Sequence, residues 1–125
     1  MGRIRKNIDI KGKNFWTLFD TGSRNTYVAP NVAKMLHTIT LPVEHIVALG
    51  GKENVLNSMC FLIANIEKHP VEVDAYVLDD IGKDEEGKPI EILFGALAMQ
   101  KWGIRPLPDE ERLDMTHYSK EFVEF

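Results

Sequence analysis

Apolar and polar residues alternate from Ile4 to Ile10, with Lys6 interrupting the apolar parity, and a period of two predicts a β-strand. Gly12-Lys13-Asn14 reads as a turn, and Phe15 to Phe19 as the second strand of a hairpin. A run of Phe, Trp, Thr, Leu and Phe suits a strand buried in a sheet. Thr26 to Ala29 predicts a short strand, and Val32 to Leu36 after Pro30-Asn31 predicts a turn or two of helix. Leu41 to Leu49 and Val55 to Ile66 are β-type runs on either side of Gly50-Gly51-Lys-Glu-Asn54, which predicts a hairpin with its tip near Gly50 to Asn54. Glu67 to Pro70 reads as a second turn, followed by a cleanly alternating strand over Val71 to Leu78. The acidic, Gly-containing stretch Asp79 to Pro89 predicts a surface loop. Ile90 to Phe94 returns to the sheet, Gly95 ends it, and Ala96 to Trp102 predicts a helix. Pro106-Leu-Pro108 is expected to break the chain, and the tail has β-type ends at Leu113 to Thr116 and Phe122 to Phe125.

Candidate chemistry sits where the second predicted strand stops. Phe19-Asp20-Thr21-Gly22-Ser23 places a carboxylate at the inner end of a buried strand, where it loses hydration. Thr21 supplies a hydroxyl, and Gly22 lets the backbone turn sharply with its N–H groups directed at the carboxylate. That is a carboxylate whose protonation can be tuned, held on a tight loop between two strands. Asp-Thr-Gly is also good turn chemistry, so a buried Asp capping its own turn is the plainer alternative.

Hydrophobic-Phe-Asp20-Thr-Gly-Ser23 resembles the catalytic loop of aspartic proteases, and a chain of 125 residues with a single such loop resembles their homodimeric, retropepsin-like branch. Ile92-Leu-Phe-Gly95-Ala-Leu97 resembles the apolar-Gly segment that precedes the short C-terminal helix of that family. The resemblance implies an all-β fold: an acid-protease, retropepsin-like closed barrel with a β-hairpin flap and one short C-terminal helix. It implies Asp20, Thr21 and Gly22 as catalytic residues, with the Thr21 hydroxyls of two loops bracing each other. Ser23, Arg24 and the flap residues Ala48, Leu49, Gly50 and Gly51 are then expected to contact substrate. Water activation by this chemistry needs two carboxylates sharing a proton. One Asp-Thr-Gly per chain therefore implies a C2 homodimer with Asp20 beside the axis. Met1 to Ile4 and Phe122 to Phe125 correspond to the terminal strands that retropepsins intertwine in the dimer; a strand packed on its own subunit is the alternative. The chain departs from the retroviral pattern at Arg24 and Ala96, where retroviral members carry a substrate-holding Asp and its Arg partner.

Composition changes this picture little. The size predicts a single domain over residues 1–125. With 44 % hydrophobic and 27 % charged residues the chain has ordinary globular composition. Its net charge of −4 argues against nucleic acid as an obligatory partner. No run approaches the ~18 apolar residues of a membrane span, no apolar stretch follows Met1, and Cys60 is alone, so no membrane partner and a cytoplasmic setting are expected. His37, His45, His69 and His117 lack metal-ligand spacing, the acidic loop lacks the EF-hand ligand order, and Ser23 lacks a nucleophile-elbow setting; no metal or cofactor is expected. Three readings follow: a homodimeric aspartic endopeptidase acting on peptide or protein substrates, a non-proteolytic binding or dimerisation module of the same fold, and a sugar-kinase-like phosphate loop. The last needs two large α/β domains, and β signals dominate here.

Overall fold

Two-residue turns set the register of the sheet. The computed structural model describes residues 3–118. Lys11 and Gly12 take φ of 53° and 84°, the doubly left-handed geometry of a tight hairpin turn whose twist matches its strands. They join β1 (Arg3–Ile10) to β2 (Lys13–Asp20), and the ladder runs from Ile10 opposite Lys13 out to Arg3 opposite Asp20. The turn thus falls earlier than Gly12-Lys13-Asn14, because Lys11 accepts the left-handed conformation and frees Lys13 and Asn14 to pair.

The chain continues through β3 (Tyr27–Val28), a single helical turn α1 (Pro30–Ala33), β4 (Thr38–Leu49), β5 (Lys52–Ile66) and β6 (His69–Val77). After the acidic loop come β7 (Ile92–Phe94), helix α2 (Ala96–Trp102), β8 (Arg105–Leu107) and β9 (Arg112–Asp114). α1 begins at Pro30, which is pre-shaped for a first helical position, and stops short of the expected Leu36. The β4–β5 turn contains only Gly50 and Gly51 (φ 58° and 79°), so Lys52, Glu53 and Asn54 belong to the strand rather than to a wide tip. At the β5–β6 turn Glu67 and Lys68 occupy the left-handed positions, and Pro70 lies inside β6 opposite Asn65. That pair is next to the closing pair of a two-residue hairpin, where the ladder needs no proline N–H. The expected break at Pro106–Pro108 is instead a small hairpin, β8 against β9, held because Leu113 is buried in the core.

Seven strands form one sheet in the order β1-β2-β7-β3-β6-β5-β4, and β1 also meets β5 at Asp9 opposite Asn65. β7 is wedged between β2, which it parallels, and β3, to which it is antiparallel. Both faces of β2 are covered. Phe15 and Phe19 enter the larger core, where the Phe19 and Phe94 rings lie 5.1 Å apart. Trp16 and Leu18 face a second cluster with Tyr27, Leu56, Leu78 and Leu93. Burial on both faces explains why this strand is a continuous apolar run rather than an alternating one. Lys6, on the apolar parity of β1, resolves its mismatch by an ion pair with Glu67 at 2.7 Å. Cys60 is buried, and burial pushes its thiol up to about 11, so it stays protonated in the fold. No helix among the described residues is long and apolar enough to cross a membrane.

The acidic loop is fastened rather than free. Asp84 Oδ1 accepts the backbone N–H groups of Glu86 and Lys88, each at 2.9 Å, and Oδ2 accepts the Trp16 indole N–H at 2.9 Å. The Lys88 ammonium lies 4.0 Å from the centre of the Trp16 ring on the same clamp. The Lys88 N–H, then the Trp16 indole and the Glu86 N–H, hold the Asp84 carboxyl below its ordinary 3.8. A carboxyl lowered by folding stabilises the fold above its unfolded value, and that contribution disappears as pH falls through the folded one. Acidification below 3.8 is therefore expected to release Trp16. In a Trp102→Phe background, Trp16 fluorescence reports the release, and Asp84→Ala abolishes that acid step.

Candidate active site

Strand order dictates the shape of the loop after Asp20. The chain leaves β2 beside Phe94 of β7 and must return as β3 on the other side of β7. Residues 21–26 therefore arch over the end of β7, where the chain turns into α2. Gly95 stands under the arch. A Cβ there would lie 2.1 Å from the Asn25 carbonyl oxygen and 2.8 Å from that of Ser23, so only glycine fits. Its N–H donates to Thr26 Oγ1 at 3.0 Å, buried. The Ala96 N–H donates to the Ser23 carbonyl at 2.6 Å and the Leu97 N–H to that of Arg24 at 3.1 Å. The loop carbonyls thus satisfy the first free N–H groups of α2, and loop and helix become one rigid unit.

On that unit the Asp20 carboxylate is held at both oxygens. Oδ1 accepts the Gly22 N–H at 2.8 Å, and the Ser23 N–H reaches the Asp20 carbonyl at 3.1 Å. Oδ2 lies 3.5 Å from Arg3 Nε, the side chains being 15 % and 50 % exposed. Alternation along β2 puts Asp20 on the side of Trp16 and Leu18, the side on which Val47 and Leu49 of the β4–β5 hairpin pack. Asp20 and the hairpin therefore share one face of β2.

The residues singled out from sequence divide into groups. Asp20, Thr21, Gly22, Ser23 and Arg24 form one loop. Thr21 and Gly22 are exposed at its apex, and Thr21 borders a cavity of ≈ 640 Å³ with Gln100, Ile104 and Pro106. Ser23 is 9 % exposed and its hydroxyl donates to the Asn25 carbonyl at 3.0 Å, so its side chain serves the loop itself. Arg24 is exposed. Ala48, Leu49, Gly50 and Gly51 sit together at the hairpin end, exposed except for the half-buried Leu49. Met1, Gly2 and Phe122 to Phe125, the segments expected in a dimer interface, lie outside the described residues, whereas Arg3 and Ile4 belong to β1. Sequence reading missed Arg3 and Thr26. Arg3 follows from the β1–β2 turn by counting outward once that turn is placed at Lys11-Gly12. Thr26 gives no local signal, since its partner Gly95 is remote in the chain.

No protein-family model matches the chain, and no curated protein matches its sequence. Solved structures do match. The retroviral protease-like domain of Ddi1 from Leishmania major superposes with a TM-score of 0.63 at 10 % identity, covering 94 % of this chain and 90 % of that one. The foamy viral protease-reverse transcriptase, solved with double-stranded DNA, gives 0.53 at 14 % identity over 83 % of this chain and 16 % of that one. The likeness shows the class of fold: mostly β-strand with a short helix after β7, as in retroviral protease-like domains.

Proposed function

We propose that the chain is a retropepsin-like aspartic endopeptidase that acts as a homodimer. The observation that carries this reading is the Asp20 loop: a carboxylate at the end of a doubly buried strand, oriented by the Gly22 N–H, with the apex at Thr21 and Gly22 exposed. Two such loops meeting at a two-fold axis bring two Asp20 carboxylates together. At that distance they cannot both ionise, so one keeps a proton. The ionised carboxylate takes a proton from water as it attacks the peptide carbonyl. The protonated one donates to the carbonyl oxygen, and proton return to the nitrogen lets the amine leave. In this reading the Thr21 hydroxyls brace the paired loops. The β4–β5 hairpin, on the same face of β2 as Asp20, acts as the flap, with Ala48 to Gly51 against the peptide. Substrates are extended peptides or unfolded protein segments. The domain architecture over 1–125 and a cytoplasmic setting complete the proposal.

The second reading, a dimerisation or binding module without proteolysis, is favoured by one contact. In the single chain the outer oxygen of Asp20 faces Arg3, and a permanent pair there would keep the carboxylate from water. Incubating the purified chain with casein and a peptide library from pH 3 to 7, alongside sedimentation to give the oligomeric state, separates the two. Cleavage by the dimer, blocked by a transition-state mimic with a central hydroxyl, is expected. A dimer without cleavage at any of these pH values leaves the module; a strict monomer overturns the endopeptidase and leaves only a binding module that does not dimerise.

A further inference from the structure

The Asp20 loop also presents a cation with no partner of its own. Among the described residues the Arg24 guanidinium makes no ion pair or hydrogen bond, a state it shares with Arg105, whereas Arg3, Arg5 and Arg112 each meet a carboxylate. Its backbone is nonetheless fixed, the Arg24 carbonyl accepting the Leu97 N–H of α2 at 3.1 Å. A guanidinium on a rigid stem is well suited to grip a carboxylate with two parallel hydrogen bonds, since little backbone freedom is lost on binding.

Beside Arg24 opens a cavity of ≈ 480 Å³, within the range of about 300–1,000 Å³ usual for ligand sites. Met59 from β5, Tyr76 from β6 and Leu97 from α2 supply an apolar lining, and Leu97 is 47 % exposed for a large aliphatic residue. Lys101 adds an ammonium group and Asp74 a carboxylate, so the charged lining carries two cations against one anion. That local sign opposes the net charge of the chain, −4. The ≈ 640 Å³ cavity on the Thr21 side, lined by Arg105 and no carboxylate, is positive as well. The concavity beside Arg24, however, joins its positive sign to an apolar lining on the loop that holds the candidate catalytic group, which suits an acidic side chain with a methylene stem.

We propose that this cavity is a subsite for an acidic side chain of an extended peptide, with Arg24 as the specificity-determining residue. The inference rests on the endopeptidase reading for its substrate class. Arg24 lies four Cα steps beyond Asp20, which limits their Cα atoms to about 14 Å. An extended peptide advances ~3.3 Å per residue, so the Glu or Asp that Arg24 holds lies within about four positions of the bond over Asp20. The apolar lining takes the methylene stem, which favours Glu over Asp.

The test measures binding and cleavage separately. Fluorescence anisotropy with the Asp20→Asn chain compares labelled peptides carrying Glu at two to four positions from a central apolar pair with their Gln counterparts. Glu peptides are expected to bind about 10-fold more tightly, the value of one solvent-accessible charge-assisted contact. Arg24→Glu in the same background is expected to reverse the preference toward Lys peptides, and thermal melting verifies that this exposed substitution leaves the fold intact. Equal binding of Glu and Gln peptides, no binding of either, or a preference unchanged by Arg24→Glu overturns the subsite. Cleavage by the unaltered chain is scored in parallel. Equal cleavage of Glu and Gln peptides removes the subsite and keeps the endopeptidase, whereas Glu-selective binding without cleavage keeps the subsite and removes the endopeptidase.

Discussion

Asp20→Asn is expected to lower peptide hydrolysis by about 10³-fold or more while leaving the folded chain intact, because in a homodimer one substitution removes both proton-transfer groups. An amide cannot share a proton as a carboxyl pair does. It can keep the local structure, since Oδ1 still accepts the Gly22 N–H now held at 2.8 Å. What is lost is the pairing with a half-exposed Arg3 at 3.5 Å, worth under about 1 kcal/mol at such exposure. Thermal melting should therefore shift little while turnover collapses. Mixing adds a stricter check. If subunits exchange and the site needs two copies, equal amounts of the two chains should give about one quarter of the unmixed activity, because only that share of dimers pairs two intact halves. Activity falling in simple proportion to the unaltered chain would place the whole site within one protomer.

Gly95→Ala carries the largest expected effect on stability. Gly95 has φ −92°, which any residue adopts, so the penalty is steric rather than torsional. The new methyl would meet backbone at 2.1 and 2.8 Å, and backbone cannot rotate away as a side-chain tip can. Relief requires lifting the arch, which breaks the bonds from Ala96 to Ser23 and from Leu97 to Arg24. A loss of at least about 3 kcal/mol is expected, seen as a fall in melting temperature on the order of 10 °C. Activity should drop further than the folded fraction, since Asp20 is carried on the same arch. A variant as stable as the parent would show that loop and helix are not locked together.

Much of this arrangement was legible residue by residue. Phe15 to Phe19 announced a buried strand because four of its five residues are large and apolar and the fifth, Thr17, is β-branched and uncharged. Gly95 followed by Ala96 to Trp102 announced the helix, whose bounds match those expected. Other readings failed for identifiable reasons. Lys11, Glu67, Lys68 and Glu111 adopt left-handed φ without being glycine, so composition alone displaced the β1–β2 turn and widened the β5–β6 turn. Pro106 and Pro108 signalled a break, yet burial of Leu113 at 3 % exposure pulled the segment into a hairpin. The Trp16–Asp84 clamp joins residues 68 positions apart, so no local pattern could announce it.

By itself the amino-acid order determined that a carboxylate ends a buried strand, that a glycine-bearing turn follows it, and that a second glycine precedes a helix. These are consequences of burial, backbone freedom and periodicity, which act over a few neighbouring residues. Only the tertiary structure decided that β7 slides between β2 and β3, so that the two glycine-bearing segments cross within van der Waals distance. It alone set Arg3 beside Asp20, turned Ser23 inward and left Arg24 at the rim of a cavity. Those placements depend on which remote strands pair and which face each side chain meets, and packing of the whole core selects them.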